Sequence, residues 1–160
     1  MTARALLVLA ACIPLLIAAS PAAATPPSPL HAEVERLLDL TPGGTQLDDH
    51  TISWEDGQVI VTVAVPTEIG ARAIASCPTG YYCAWTAPGF LGSSIWLASC
   101  TVGGSAHSLA PLGGAARSFA NARTSGTVTV KDGSSVVDTL TPSSGRSSVT
   151  YASTAMVCFT

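Results

Sequence analysis

Cysteine and histidine are the residue types of this 160-residue chain whose spacing could support chemistry. Structural zinc sites usually place two cysteines about two to four residues apart, whereas five residues separate Cys77 from Cys83. A thioredoxin-like redox motif needs only about two intervening residues. His107 is isolated in the sequence and adjoins no cysteine pair. The spacing therefore predicts neither a zinc site nor a redox site.

The chain also lacks the residue patterns of a hydrolase. It contains no Gly-x-Ser-x-Gly motif, which marks the serine nucleophile of many hydrolases. In the C-terminal part, Asp132 and Asp138 are the only carboxylates, and both flank one predicted hairpin. An acid–base pair needs a cleft that shifts its pKa values, and charges beside a turn do not indicate one. We predict that the protein is not an enzyme and needs no cofactor.

The cysteines are better explained as the disulfides of an exported protein. Residues 1–24 have the form of a signal peptide, in which Arg4 precedes an apolar run and Ala22–Ala24 supply small residues before cleavage. Lipoprotein processing at Cys12 is the alternative, although the apolar run continues beyond it. No later stretch is long and apolar enough to span a membrane. We expect a secreted, extracellular chain with no membrane in its mature form.

Removal of the signal leaves Cys77, Cys83, Cys100 and Cys158, and an even number of cysteines in an exported chain predicts two disulfides. Four cysteines can pair in three ways, and the sequence alone does not choose between them. We favour Cys77–Cys83, because Pro78, Thr79 and Gly80 can fold this segment back on itself. The second bond is then Cys100–Cys158.

The elements that position these residues fall into two parts, 25–72 and 73–160. In the first, LHAEVERLLDL predicts a helix with one apolar face, and Glu55-Asp56-Gly57 predicts a hairpin turn. The boundary is predicted within 65–76, which lacks a clear period. The second part predicts an all-β sandwich with 101–116 as a connection between sheets. Its seven predicted strands are YYCAW, SSIWLA, ARSFAN, GTVTV, SSVVDTL, SSVTYA and AMVCF.

Charge is divided unevenly between these parts. Residues 25–72 carry eight acidic and two basic side chains, a net charge of −6, whereas 73–160 carry two acidic and four basic ones, a net charge of +2. Neither part is basic enough to favour nucleic acid as a partner. The imbalance predicts that the N-terminal segment docks on the β-rich part, and the alternative is a tethered spacer. Because attraction between surface charges is modest, we expect apolar contacts to carry most of the docking, from Leu37, Leu38, Ile52 and Trp54.

The segment WTAPGFLG resembles the folded hairpin of βγ-crystallin-type Greek keys, with the pattern aromatic-x4-aromatic-x-Gly. Trp85 and Phe90 can pack across such a hairpin, and Gly92 can adopt the positive φ that it requires. The wider order CPTGYYCAW, GFLG and ARSFAN resembles peptidase inhibitor family I36, the Streptomyces-type metalloproteinase inhibitors, over 76–140. The acidic N-terminal segment lies outside this resemblance.

The resemblance implies a secreted βγ-crystallin-like Greek-key β-sandwich from an actinobacterium, with its first two cysteines bonded to each other. It implies an extracellular protease as partner, most of all a metalloprotease, and we expect the inhibitor to be a monomer. Family position places the reactive strand in KDGSSVVDTL. The candidate residues for the inhibitory loop are Val136, Val137, Asp138 and Leu140.

The stapled loop CPTGYYC, with Tyr81 and Tyr82 as aromatic anchors, is the alternative binding surface. The characterised inhibitory branch has a disulfide-braced reactive loop, and GSSVVDTLTP contains no cysteine. No reactive bond can therefore be carried over from the family. For the same reason, we expect inhibition to be weaker than in the braced branch.

Two other functions stay open. Calcium-binding βγ-crystallins use Asn/Asp-Asn/Asp-x-x-Ser/Thr-Ser, and ANARTS supplies Asn121, Thr124 and Ser125 but has Ala120 at the first position. Because calcium prefers several oxygen ligands, these are weak candidates for a metal site. The alternatives to an inhibitor are a non-inhibitory βγ-crystallin-like structural or stress protein, and a toxin-like module on the same fold.

Overall fold

The computed structural model describes residues 28–64, 77–114 and 116–160. The predicted signal peptide, with Cys12, and the predicted boundary at 65–76 lie outside these residues. Within the described ranges, no helix has the length and apolar character that crossing a membrane would require.

Helix α1, Pro29–Leu40, begins at Ser28, whose hydroxyl accepts a hydrogen bond of 3.2 Å from the backbone N–H of His31. This is a side-chain N-cap, and proline at the first helical position adds to it. Val34 and Leu37 are buried, and other leucines of the helix pack against the same core. The helix therefore uses its predicted apolar face to cover a sheet.

In the described residues, eleven strands form two antiparallel sheets. The seven-stranded sheet has the order β1-β2-β3-β5-β4-β7-β10, and the four-stranded sheet has the order β6-β11-β8-β9. The predicted all-β fold with a preceding helix and hairpin is confirmed. The strands are β1 Thr45–Asp48, β2 Thr51–Trp54, β3 Val59–Thr62, β4 Tyr82–Ala87, β5 Leu91–Leu97, β6 Ser105–Ser108, β7 Ser118–Asn121, β8 Thr127–Asp132, β9 Ser135–Leu140, β10 Ser144–Arg146 and β11 Ala155–Phe159.

The last eight strands form two units of four with the same connectivity. In each unit the first, second and fourth strands are neighbours in one sheet, as β5-β4-β7 and as β9-β8-β11. The third strand crosses to the other sheet, where β6 pairs with β11 and β10 pairs with β7. This exchange is consistent with the expected Greek-key arrangement, and it ties the two sheets together.

Both predicted disulfides are formed. Cys77 bonds Cys83 with a Cα–Cα distance of 5.7 Å, which closes the short loop before β4. Cys100 bonds Cys158 with a Cα–Cα distance of 4.7 Å. The second bond fastens the chain after β5 to β11, the central strand between β6 and β8.

The N-terminal segment docks on the β-rich part, as its charge predicts, but strand pairing and apolar contacts hold it there. β3 pairs with β5, so that the first sheet continues into the N-terminal strands. Ile52, Trp54 and Val61 share the core with side chains of both sheets. The indole N–H of Trp54 also donates to the Thr41 carbonyl at 2.8 Å. The ion pairs described for this segment join its own residues.

Several strands differ from the prediction. The structure adds β1 and β6, and β6 lies in the stretch that the sequence predicts as a connection. Both are short strands at the edge of a sheet, and their side chains are exposed or only partly buried, so that no apolar alternation marks them. The prediction of a strand at 147–152 is wrong. The paired segment is Ser144–Arg146, and the chain leaves the sheet after it.

Candidate functional site

The reactive strand predicted from the sequence is β9, which lies at the edge of the four-stranded sheet. In the part of the chain that the structure describes, β8 is its hydrogen-bonded neighbour on one side and nothing pairs with its other side. An edge strand presents free backbone N–H and C=O groups there. Such a strand can pair with an extended chain of another protein.

A β-bulge at Val137 decides which side chains of β9 face solvent. Val130 lies opposite Asp138, but Lys131 lies opposite Val136, so Val137 has no partner of its own. Directly opposed residues share a face of the sheet, and the bulge moves Val136 to the outer face beside Lys131. Val136 is 57% exposed and Val137 is 36% exposed. Both valines are therefore available to a partner.

Leu140 lies on the inner face of the same strand. It is opposite Val128, and both side chains are fully buried. A protease cannot reach Leu140 while the protein is folded. The structure therefore removes Leu140 from the candidate surface and makes it the anchor that fixes the end of β9 in the core.

Asp138 is held by neighbouring donors instead of facing outward. Arg146 Nε lies 2.9 Å from Asp138 Oδ2 in an ion pair, and the hydroxyl of Tyr151 donates to the same oxygen at 2.8 Å. Burial, together with the neighbouring Asp138 carboxylate, raises the pKa of Tyr151. The phenol therefore stays protonated and able to donate. Arg146 and Tyr151 were not predicted from the sequence. The one signal there is an isolated carboxylate on an apolar strand, which indicates that partners exist but not which residues they are.

The alternative surface, the stapled loop, uses its tyrosines to support the fold. Tyr82 is fully buried, donates to the Ser99 carbonyl at 3.0 Å, and has its pKa raised by that burial. The hydroxyl of Tyr81 donates to the Gly57 carbonyl at 3.3 Å, which joins the loop to the N-terminal hairpin. Both hydroxyls therefore form hydrogen bonds within the protein, and the buried ring of Tyr82 cannot anchor a partner protein.

The folded hairpin at Trp85–Gly92 is formed as its pattern predicts. The rings of Trp85 and Phe90 meet edge to face with their centroids 5.1 Å apart, and Gly92 has φ +82°. Ser118 on β7, which the sequence analysis did not single out, fixes the turn. Its hydroxyl donates to the Ala87 carbonyl at 2.7 Å and accepts from the Phe90 N–H at 3.1 Å. This hairpin is a structural corner of the first sheet.

The weak calcium candidates sit where β7 leaves the sheet. Asn121 is buried, and its Nδ2 donates to the carbonyls of Gly126 at 3.1 Å and Leu140 at 3.3 Å. Its Oδ1 accepts the backbone N–H of Arg123 at 3.2 Å. The side chain is thus used by the fold, while Thr124 and Ser125 are exposed. Among the described residues, no three His, Cys, Asp or Glu side chains are grouped to hold a metal.

A cavity of about 380 Å³ separates the N-terminal segment from β6 and is lined in part by Trp54, Glu55 and His107. His107 Nε2 lies 3.2 Å from the hydroxyl of Ser105, and burial lowers the pKa of His107. A catalytic histidine needs a third group that orients its other ring nitrogen. The hydrogen bonds of the described residues include no such group. His107, which lines the cavity, thus contacts a serine hydroxyl without the rest of a triad in the described residues.

Comparison with protein families finds a match to peptidase inhibitor family I36 over residues 70–139. The matched range includes the stapled loop, the folded hairpin and the exposed valine pair of β9. Comparison with curated proteins and with solved structures gives no match. The resemblance predicted from the sequence is therefore confirmed by a match to the model of peptidase inhibitor family I36 over residues 70–139 of this chain.

Proposed function

We propose that the chain is a secreted inhibitor that binds an extracellular protease, of the metalloprotease class, through strand β9. The observation that carries this proposal is the family match over 70–139, which includes Val136 and Val137. The family match supports a protease as partner, and two disulfides fit an oxidising, extracellular compartment. The activity is one of binding and not of catalysis.

The geometry of β9 supports binding in the manner of a substrate. Proteins that bind an extended peptide use its main-chain hydrogen bonds for affinity and pockets for alternate side chains for specificity. No described strand pairs with the outer edge of β9, and the strand exposes two apolar side chains, Val136 and Val137. The thermolysin-like enzymes favour such bulky apolar groups. Because β9 is already paired with β8, little chain has to become ordered when it binds a protease. Less affinity is therefore lost than with a flexible loop.

The proposal is tested by titrating the oxidised mature protein against a panel of secreted metalloproteases and serine proteases. We expect a saturable, stoichiometric loss of activity for at least one metalloprotease. The double variant Val136→Asp, Val137→Asp places two charges where apolar pockets of the protease would contact β9. This variant should not inhibit. Val102→Asp is the matched control, because Val102 is 84% exposed and lies outside β9. Tyr81→Ala tests the alternative loop.

If the two valine changes leave inhibition intact in a folded protein, β9 is not the binding site. If Tyr81→Ala abolishes inhibition while the valine variant retains it, the stapled loop takes its place. Circular dichroism of each variant shows whether the fold is retained, so that loss of activity is not mistaken for unfolding.

Calcium distinguishes the structural alternative. Because Asn121 uses both ends of its amide within the fold, we expect the melting temperature to be the same with calcium and with a chelator. A rise in melting temperature with calcium would favour a βγ-crystallin-like structural protein. Slower growth of neighbouring cells on exposure to the purified protein would favour the toxin-like module.

A further inference from the structure

Strand β9 needs a second attachment, because pairing holds it from one side only. Its hydrogen-bonded neighbour in the described chain is β8, and the bulge at Val137 interrupts that ladder. The two disulfides, at Cys77–Cys83 and Cys100–Cys158, lie elsewhere. Segments with few buried contacts and an interrupted ladder open locally more readily than the core.

The carboxylate of Asp138 supplies this attachment, because both of its oxygens have partners. Oδ1 accepts from the Thr139 N–H at 2.7 Å and from Arg146 Nη2 at 3.2 Å. Oδ2 accepts from the Tyr151 hydroxyl at 2.8 Å and lies 2.9 Å from Arg146 Nε. The arginine contact is an ion pair that includes a charge-assisted hydrogen bond, which is stronger than a bond between neutral groups. The Asp138 side chain is 16% exposed, which limits screening by salt.

One partner of Asp138 lies on a strand of the other sheet, and the second packs against that sheet. Arg146 lies on β10, opposite Phe119 of β7. The ring of Tyr151 stacks on Phe119 with a centroid distance of 6.1 Å and an interplanar angle of 13°. Phe119 is fully buried. Asp138 therefore joins the edge strand of the four-stranded sheet to a core residue of the seven-stranded sheet.

Because Asp138 directly follows the exposed valine pair, we propose that Asp138, Arg146 and Tyr151 form a brace that fixes Val136 and Val137 in the conformation that a protease binds. The three are positioning residues, and the inference rests on the proposed function of β9. A strand held on both sides loses less freedom when it binds, which strengthens affinity. It also opens less often, and local opening is the step that exposes a strand to cleavage.

Edge protection is a competing explanation of Asp138. A charge on the inward side of an edge strand discourages pairing between copies of a protein. The two explanations differ in what removal of the charge does. Loss of edge protection leads to self-association, whereas loss of the brace weakens inhibition by the monomer and exposes β9 to cleavage.

The test uses the full oxidised protein with two conservative variants. Asp138→Asn keeps the shape of the side chain and removes its charge, and Tyr151→Phe keeps the ring stack and removes the hydroxyl donor. We expect Asp138→Asn to raise the inhibition constant about tenfold, as loss of one charged hydrogen bond does, and Tyr151→Phe to raise it less. The protease should cut β9 faster in both. Amide hydrogen exchange should be faster at 135–140 and unchanged in β11.

Two control variants separate positioning from general stability. Ser118→Ala weakens the hairpin of the first sheet and lowers the melting temperature without touching the brace. Glu33→Gln removes a carboxylate–arginine pair on helix α1. Both controls should inhibit as the wild type does, at the same concentration of folded monomer.

The proposed brace would be refuted if Asp138→Asn and Tyr151→Phe both showed the inhibition and the amide exchange of the wild type. It would also be refuted by an Asp138→Asn protein that self-associates while its monomer inhibits normally, because that result assigns Asp138 to edge protection. A wild-type protein that inhibits no protease refutes the proposed function instead. In that case, amide exchange at 135–140 still tests whether the brace exists. Faster exchange in Asp138→Asn supports the brace, and unchanged exchange refutes it.

Discussion

Removing the Cys100–Cys158 bond should destabilise the protein more than removing the Cys77–Cys83 bond. Each bond stabilises the folded protein chiefly by restricting the unfolded chain, and the effect grows with the length of the closed loop. The positions bonded are 58 apart for the first pair and 6 apart for the second. The perturbation is the paired change of both cysteines to alanine, made separately for each bond.

The magnitudes follow from these loop lengths. The chain-entropy relation gives about 4 kcal/mol for the long loop and about 2.4 kcal/mol for the short one. For a domain of this size, each kcal/mol lowers the melting temperature by about 2 to 4 °C. The long-loop variant should therefore melt roughly 8 to 16 °C below the wild type, and the short-loop variant roughly 5 to 10 °C below it.

The assay is thermal and urea unfolding of the oxidised wild type and the two variants. Peptide mapping without reductant first establishes which cysteines are bonded in each protein. A fragment joining Cys77 to Cys100 would contradict the assigned pairing. If the short-loop variant proved as unstable as the long-loop variant, restriction of the unfolded chain would not be the dominant effect.

Two further predictions concern the core. Ser118→Ala should lower the free energy of unfolding by about 1 to 3 kcal/mol, because the Phe90 N–H then lacks its acceptor. Denaturant unfolding measures this free energy, and an unchanged value would show that the hydroxyl does not support the hairpin. Burial raises the pKa of Tyr82, so the folded protein keeps a proton that the unfolded chain loses above about pH 10. Stability should be complete below that pH and should fall as pH rises through the folded-state pKa. Denaturant unfolding at increasing pH should show a smaller decline in Tyr82→Phe, and an equal decline in that variant would contradict this assignment.

Local patterns allowed much of the fold to be predicted. The apolar face of α1, the hairpin turn at Glu55–Gly57 and the aromatic spacing of Trp85 and Phe90 each depend on residues close in sequence. Turn chemistry and helical periodicity are short-range signals, so one sequence is enough to detect them. The preferred disulfide within CPTGYYC is local in the same sense.

The repeat of two four-stranded units is hidden from the sequence. The first unit closes its hairpin with an aromatic pair and Ser118. The second uses Thr154, whose Oγ1 accepts the Gly133 N–H at 2.8 Å and donates to the Lys131 carbonyl at 3.4 Å. The two hydroxyls have the same role, but the surrounding residue types differ. Only the three-dimensional pairing shows that the hairpins correspond.

The candidate site depends on long-range pairing, and this explains what the sequence missed there. Leu140 appears available in the sequence because it is a bulky apolar residue in the predicted reactive strand, but its register opposite Val128 buries it. Asp138 appears to be a solvated turn charge, but it is contacted by Arg146, on a strand of the other sheet, and by Tyr151, in the segment that follows that strand. The bulge at Val137 arises from the pairing with β8 and has no local signature.

The central claim is that β9 binds a protease and inhibits it. The most direct measurement is an activity titration of a sensitive secreted metalloprotease with the oxidised protein, run beside the Val136→Asp, Val137→Asp double variant. We expect a linear loss of activity that ends near one inhibitor per enzyme for the wild type, and no loss for the folded double variant. Equal titration curves for the two proteins would contradict it.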